Sequence, residues 1–218
     1  MFVPNAFSQD RCPSNISQTG RDFGFVKGSS DNLYFSPSTW LFCIYHSNGK
    51  LSVEDPNMNT TGEPLSHGLA KHYFESGALS NETSFVKGKK EGTSKSYYEN
   101  GKLKSEATFK DDKMNGTAKR YNESGKLSEE ATFKDGVADG MVRVYSEDGR
   151  LSQQRTYKNG MQDGITKSYR KNGKIFATFT YREGSPVSGL CNHTDGTTSP
   201  LTNAELHNWE NGLNVECR

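Results

Sequence analysis

The chain has 218 residues, of which 31% are hydrophobic and 11% aromatic, and its mean hydropathy is −0.85. This composition argues against one thick apolar core, and the regularly spaced aromatic residues argue against disorder. The net charge is +1, without the clustered Lys and Arg of a nucleic-acid-binding protein and without an apolar run long enough to cross a membrane.

The charge is unevenly distributed along the chain. Residues 68–188 hold 22 Lys and Arg against 16 Asp and Glu, whereas the remainder holds 5 against 10. A mildly basic centre with acidic flanks can steer an acidic partner towards it. The alternative is that the acidic flanks fold back on the basic centre.

Four cysteines lie outside the central region, two before it and two after it. Their number and placement predict the disulfides Cys12–Cys43 and Cys191–Cys217, one at each end of the chain. Disulfides predict an oxidising compartment, either the bacterial periplasm or the extracellular space. We expect a periplasmic protein whose given sequence is the mature part with Met1 added for expression, because residues 1–11 do not form a signal peptide. Four buried free thiols in a cytoplasmic protein are the second choice.

The first 43 residues contain six aromatic residues between Phe23 and Phe42 but no clear period. They predict a small N-terminal cap, irregular or β, over residues 1–43.

A 24-residue period organises the centre of the chain, from residue 44 to residue 188. Each copy opens with a glycine, carries a tyrosine five residues later and a second glycine four residues after that, and closes with an aromatic residue. The opening glycines are Gly68, Gly92, Gly116, Gly140 and Gly164; the tyrosines are Tyr73, Tyr97, Tyr121, Tyr145 and Tyr169; the closing aromatics are Phe85, Phe109, Phe133, Tyr157 and Tyr181. A degenerate earlier copy runs from Tyr45 through Gly49 and Leu51.

Each copy is predicted to be a β-hairpin. The sequence Asn100-Gly101 between two alternating runs predicts a two-residue turn, so that residues whose numbers sum to 201 face each other. The predicted cross-strand pairs are Lys95 with Glu106, Thr93 with Thr108 and Gly92 with Phe109, and the same rule pairs Lys71 with Glu82 and Lys119 with Glu130. Opposite charges and paired threonines across a ladder each contribute about 0.2–1 kcal/mol.

Alternation along the strands assigns two faces. Gly92, Leu103, Ala107 and Phe109 are predicted to share an apolar stripe, which we call the glycine face. Lys95, Tyr97, Glu106 and Thr108 are predicted to share a polar face, which we call the tyrosine face. The fold class is therefore mainly β: an elongated, twisted antiparallel meander of stacked hairpins with small end caps.

Residues 189–218 are predicted to form the C-terminal cap. Thr202-Asn203-Ala204-Glu205 matches a capping box, and Leu206 and Trp209 follow at helical spacing. We therefore expect a short helix from Asn203 to Asn211 that lays Leu206 and Trp209 on the last hairpins.

The repeats resemble the MORN-variant repeat of the YwqK-type antitoxin family. The resemblance rests on the Tyr-x-x-x-Gly-Lys-Leu stretch, the closing aromatic-Lys-x-Gly and the opening Gly, seen in GTSKSYYENGKLKSEATFKDD, and it covers about residues 45–189. It implies a repeat protein that neutralises a toxin by binding it, as in toxin–antitoxin and effector–immunity pairs. Related MORN arrays act as scaffolds and membrane-associated modules, so a non-catalytic scaffold or anionic-lipid-binding module is the alternative. The flanks and the cysteines lie outside the resemblance.

Departures from the repeat mark the expected toxin-binding residues, because identical structural units leave only the differences free for recognition. Arg143 is predicted to face Gln154, and Lys167 to face Thr178, so that both cations lose the carboxylate partner of the other copies. Phe176 is predicted opposite Tyr169, and an aromatic pair beside unpaired cations has the composition of a binding hot spot. The expected site is therefore Arg143, Gln154, Lys167, Tyr169 and Phe176. The alternative is that the C-terminal cap covers Tyr169 and Phe176.

No catalytic constellation stands out in the sequence. His193 with Asp195 near Cys191 is the nearest approach to one, and it reads better as a surface loop. We expect neither an enzyme, nor a cofactor, nor a metal site. The expected partner is a secreted toxin, for which an envelope-acting lipase is one candidate, and membrane binding is not expected. An enzyme with its site in the unmatched flanks is the remaining alternative.

Overall fold

A computed structural model of the protein describes residues 12, 14, 26–27, 33–36, 41–55, 67–210 and 217. The chain divides into two compact units, residues 1–112 and 113–218. Both are mainly β, and in each one every consecutive pair of hydrogen-bonded strands is antiparallel. The predicted fold class is confirmed, while the division into residues 1–43, 44–188 and 189–218 stays a prediction.

The described residues of the first unit form eight strands that pair in chain order. They are β1 Val26–Lys27, β2 Leu33–Ser36, β3 Leu41–Tyr45, β4 Leu51–Asp55, β5 His67–Tyr73, β6 Leu79–Val86, β7 Lys89–Tyr97 and β8 Leu103–Lys110.

In the second unit, the part of the chain that the structure describes forms nine strands and one helix. They are β9 Lys113–Tyr121, β10 Leu127–Lys134, β11 Val137–Tyr145, β12 Leu151–Lys158, β13 Met161–Gln162, β14 Gly164–Tyr169, β15 Ile175–Arg182, β16 Ser185–Asn192, β17 Thr198–Pro200 and α1 Asn203–Glu210. Helices with the length and hydropathy of a membrane span are absent from the described part of the chain.

The predicted ladder of the β7–β8 hairpin is confirmed over most of its length. Gly92 pairs with Phe109, Thr93 with Thr108 and Lys95 with Glu106. The corresponding pairs Lys71–Glu82 and Lys119–Glu130 are also in register. The sum rule therefore holds in each hairpin away from its turn.

The predicted two-residue turn at Asn100-Gly101 is wrong. The Tyr98 N–H donates to the Lys102 carbonyl at 2.8 Å and the Gly101 N–H donates to the Tyr98 carbonyl at 2.9 Å. Gly101 has a φ of 81° whereas Asn100 has no positive φ, and a two-residue type I′ turn requires positive φ at both positions. The chain instead forms a three-residue loop that ends in a left-handed glycine.

This longer loop shifts the register by one residue next to the turn. Tyr97 pairs with Leu103 instead of Lys104, so Leu103 lies on the tyrosine face and its predicted place on the glycine face is wrong. Burial in the first complete hairpin agrees with this, because Leu51, the equivalent of Leu103, packs in one cluster with Tyr45 and Cys43.

Two-residue turns occur at the other end of the hairpins, where one copy connects to the next. Asp135-Gly136 and Asn159-Gly160 have positive φ at both residues, as do three further turns of this kind. The chain therefore does contain two-residue turns, but they lie at the connections between copies.

Each end of the chain is closed by a disulfide. Cys12 is bonded to Cys43 and Cys191 to Cys217, as predicted, and the described residues include no free cysteine. Two disulfides indicate an oxidising environment.

The C-terminal helix begins at Asn203, as predicted, and ends at Glu210. The Glu205 carboxylate accepts from the Thr202 N–H at 2.7 Å and the Glu205 N–H donates to the Thr202 hydroxyl at 3.3 Å, which completes the capping box. The Thr202 N–H and the Thr202 hydroxyl, the latter at 2.8 Å, both donate to the Glu205 carboxylate and hold its pKa below the ordinary value. Leu206 is buried against the last hairpins, with Phe179 and Leu201 in the same cluster. The side chain of Trp209 lies outside the described residues.

Candidate functional site

On the tyrosine face of each unit, successive strands contribute a row of side chains. Each hairpin supplies two residues to this row, one from each of its strands. We call it the charge row. In the first unit the row is Glu54, Lys71, Glu82, Lys95 and Glu106, with each residue paired in register with the next. Acid and base alternate along this row.

Ion pairs in the row join neighbouring hairpins. Lys71 Nζ lies 3.1 Å from the carboxylate of Glu54, and Lys95 Nζ lies 3.6 Å from that of Glu82. Both carboxylates belong to the preceding hairpin. This arrangement is possible because a strand inside the sheet has a neighbouring strand on each side. The cation therefore has one carboxylate beside it on each of these two strands.

The repeat tyrosines add a hydrogen bond across the same hairpin boundary. Tyr73 Oη donates to Glu54 at 3.1 Å and Tyr97 Oη donates to Glu82 at 2.8 Å. The pKa of Tyr97 is raised to about 12. Partial burial is the larger cause, and the hydrogen bond to the Glu82 carboxylate is the next. The tyrosine and the lysine of one hairpin therefore bind the same carboxylate of the preceding hairpin.

In the second unit the charge row ceases to alternate. It reads Lys119, Glu130, Arg143, Gln154, Lys167, Thr178 and Leu190. Only one carboxylate remains among three cations, and the row ends on an apolar side chain.

Arg143 has a carboxylate partner, and the prediction that it lacks one is wrong. Its guanidinium donates to Glu130 at 2.8 Å. Glu130 lies on the preceding hairpin, 13 residues before Arg143, the same spacing as Glu82 and Lys95. That recurring spacing was the sequence signal for the pair.

Lys167 differs from the other cations of the row. Its two neighbours in register are Gln154 and Thr178, and within the part of the chain that the structure describes no carboxylate lies within ion-pair distance of its ammonium group. Its charge remains available to a partner.

Gln154 replaces the carboxylate at the position next to Lys167. Its Oε1 accepts from Tyr169 Oη at 2.6 Å, and its Nε2 lies 3.5 Å from the sulfur of Met141. The tyrosine bond of the repeat is thus preserved, while the negative charge that would neutralise Lys167 is absent. Four of the five predicted site residues, Arg143, Gln154, Lys167 and Tyr169, are brought together on this face.

Phe176 is not opposite Tyr169. The register shift beside the turn pairs Tyr169 with Ile175, for the same reason that Tyr97 pairs with Leu103. Phe176 is half-buried against the C-terminal cluster, and the Arg170 guanidinium lies 5.7 Å from its ring centroid. Arg170 also donates to the Asn192 carbonyl at 2.6 Å, so Phe176 belongs to the packing of the C-terminal end.

A cleft of about 450 Å³ lies on the tyrosine face of the first unit. Its lining includes Glu54, Lys71 and Tyr73, together with Cys12. The Glu54 carboxylate is buried and accepts from the Cys12 N–H, Lys71 Nζ and Tyr73 Oη, each at 3.1 Å. All three donors are supplied by the protein, so Glu54 is a structural carboxylate that ties the N-terminal segment to the repeats.

His193 and Asp195 hydrogen-bond to different partners. His193 Nε2 lies 2.8 Å from Ser199 Oγ, while Asp195 accepts from the Thr197 N–H at 2.9 Å and from its hydroxyl at 2.7 Å. The two bonds from Thr197 hold the pKa of Asp195 below its ordinary value. Asp195 stabilises a turn by these contacts. Among the described residues, no group of three or more His, Cys, Asp and Glu side chains could hold a metal ion.

The sequences of the repeats match a known family. The family model described as MORN repeat variant matches five segments, residues 66–87, 90–111, 114–135, 138–159 and 162–183. The chain belongs to the MORN repeat variant family. Each matched segment of this MORN repeat protein spans one hairpin from its first strand to its closing turn.

Other comparisons add little to this assignment. No curated protein matches the chain. Among solved structures, the chain is similar to one described as a GtfA/B complex bound to UDP and GlcNAc, with 10% identity and a TM-score of 0.19. That match covers 83% of this chain and spans 30% of the other.

Proposed function

We propose that this MORN repeat protein is an exported immunity protein that binds a cognate secreted bacterial toxin and blocks it. The observation that carries the proposal is the charge row. Its acids and bases neutralise one another in the first unit, whereas in the second unit Lys167 stands between Gln154 and Thr178 without a carboxylate. A repeat that needs only to fold would keep its pairing throughout.

The sheet suits inhibition by binding. Hydrogen-bonded strands hold the side chains of the row in fixed register, so little conformational entropy is lost when a partner docks. Inhibition then requires only that the docked surface cover the toxin's active site or prevent its conformational opening. No group of this chain need take part in chemistry.

The two disulfides support a location outside the cytoplasm. A periplasmic location would place the protein where an incoming envelope-acting toxin, such as a lipase, reaches its target.

Co-expression tests the proposal. Secreted toxin candidates encoded beside this protein are directed to the periplasm of a sensitive host, with and without this protein. Rescue of growth by the intact protein, together with a stoichiometric complex of the purified pair, is the expected result. Failure to rescue growth from any neighbouring toxin, with no complex in vitro, would contradict the immunity function.

A scaffold that binds anionic lipid is the second candidate. The observation that favours it is the turn of the β14–β15 hairpin, where Lys171 stands in place of Glu99 of an earlier copy. Flotation with vesicles containing phosphatidylglycerol tests it. Binding that disappears at high salt would favour the scaffold, and absence of binding would remove it.

A further inference from the structure

In each unit, the terminal segment of the chain packs on one face of the repeats. At the N-terminal end, Cys12 packs with Cys43 and Tyr45, which point to the tyrosine face of the β3–β4 hairpin. At the C-terminal end, Leu201 and Leu206 pack on the glycine face of β15 and β16. Among the described residues, these C-terminal contacts leave the tyrosine face of β15 and β16 uncovered.

Packing beneath α1 confirms which face is covered. Gly189 pairs with Phe179 on the glycine face, and a Cβ atom at Gly189 would come within 2.6 Å of a Leu201 methyl group. The next residue, Leu190, points to the other face and is 47% exposed.

The uncovered tyrosine face of β11–β16 carries several large apolar side chains. Alternation and strand register place five on it, each 39–50% exposed: Val137, Met141, Met161, Ile165 and Leu190. Large apolar side chains exposed together on one face of a sheet are typical of protein-interaction surfaces. At about 4.8 Å per strand the patch is roughly 24 Å wide, a size that fits a protein partner.

The polar groups among these side chains are mainly cationic. Arg143 and Lys167 lie in the charge row, between the strand positions of Met141 and Ile165 on one side and the repeat tyrosines on the other. Two acidic residues near the turns are bonded to backbone amides, since Asp139 accepts from the Asn159 N–H at 3.2 Å and Asp163 from the Glu183 N–H at 3.3 Å. Arg143 is already paired with Glu130, so Lys167 is the cation for which a complementary surface would supply a carboxylate.

We propose that the tyrosine face of β11–β16 docks a protein whose contact surface presents carboxylates between apolar side chains. Lys167 binds one such carboxylate directly, while Met141, Ile165 and Leu190 supply the apolar contacts. This inference deepens the proposed function and rests on it only for the identity of the partner as a toxin.

In-cell photo-crosslinking captures a partner directly from the native host. Benzoylphenylalanine replaces Ile165 in one variant of the full chain and Thr93 in the matched control, because these residues hold the same repeat position in the two units. We expect the Ile165 probe to capture one protein through a peptide that contains Asp or Glu among apolar residues, and the Thr93 probe to capture none. Equal capture at both positions, or no protein captured at Ile165, would overturn the docking surface.

Affinities measured with the captured, purified protein complete the test. We expect Lys167→Gln to weaken binding about tenfold, and Ile165→Asp to weaken it at least as much. The same changes in the first unit, Lys95→Gln and Thr93→Asp, should leave affinity within about twofold. Thermal unfolding of all four variants separates loss of contact from loss of fold. Equal losses in both units would overturn the inference.

The outcomes distinguish this inference from the immunity function. A captured protein that is not a toxin would leave the surface standing and remove the function. A toxin that is neutralised equally well by Lys167→Gln and Ile165→Asp would keep the function and remove the surface. Crosslinks at Ile165 to phospholipid only would replace the protein partner with a membrane.

Discussion

At the scale of single residues, the ion pairing of each cation in the charge row depends on the residues of the two strands beside it. The sequence revealed the partner within the hairpin, such as Glu106 for Lys95, because a turn of known length fixes that register. It did not reveal the carboxylate across the hairpin boundary, which is why Arg143 was expected to be unpaired. Lys167 is the position where neither neighbour is a carboxylate.

Tyr97 provides a residue-scale prediction about pH. Its pKa is raised to about 12 in the folded protein, so the folded state retains a proton that the unfolded chain releases near the ordinary tyrosine value of about 10. The resulting stabilisation is fully present below about pH 10 and is lost as the pH rises towards 12.

We expect Tyr97→Phe to reduce the loss of stability between about pH 9 and pH 12 relative to the unmodified protein. Urea denaturation at a series of pH values measures the effect. Identical pH profiles for the two proteins would show that folding does not raise the pKa of Tyr97.

At the scale of the hairpin, the 24-residue period and the ladder were predictable, and the turn was not. Asn-Gly is strongly associated with two-residue turns, yet at Asn100-Gly101 only the glycine is left-handed. Both loop lengths place a glycine late in the turn, so the local sequence did not distinguish them. The one-residue difference moved Leu103 to the tyrosine face and separated Phe176 from Tyr169.

The opening glycine of each copy gives an element-scale prediction. Gly140 has a φ of 121°, and a Cβ atom there would lie 3.2 Å from Cβ of Thr132. We expect Gly140→Ala to destabilise the second unit by about 2–3 kcal/mol, from backbone strain and crowding together.

Gly173→Ala is the matched control. Gly173 has a φ of 81° with no atom within 4 Å of the Cβ position, so backbone strain alone should cost about 1 kcal/mol. Chemical denaturation compares the two variants. If Gly173→Ala lowers the free energy of unfolding as much as Gly140→Ala does, or more, then crowding against Thr132 does not contribute to the destabilisation.

At the scale of the whole molecule, the sequence predicted both disulfides, because the cysteines flank a cysteine-free repeat region in two pairs. It did not predict that the N-terminal segment packs on the tyrosine face of the first unit, or that the C-terminal segment packs on the glycine face of the second. That depends on the path of the flanking segments, which have no periodic pattern. The position of the open apolar patch therefore came only from the structure.

Removal of the Cys191–Cys217 bond tests the role of the C-terminal end. The bond closes a loop of 26 residues, and we expect Cys191→Ser/Cys217→Ser to lower the free energy of unfolding by roughly 2–4 kcal/mol. Hydrogen exchange should accelerate at Leu201 and Leu206, which pack beside this bond, and remain unchanged in residues 67–110. Unchanged exchange at both leucines would show that α1 is held without the disulfide.

Methionine oxidation in the complex tests the central claim most directly, because the chain carries reporters on both faces. Met141 and Met161 lie on the proposed docking surface, whereas Met114 lies by strand alternation on the glycine face. Peroxide oxidation rates are measured by mass spectrometry for the free protein and for its complex with the captured partner. The account predicts that binding slows oxidation of Met141 and Met161 about tenfold or more while Met114 changes little. Protection of Met114 alone, or of none of the three, would contradict it.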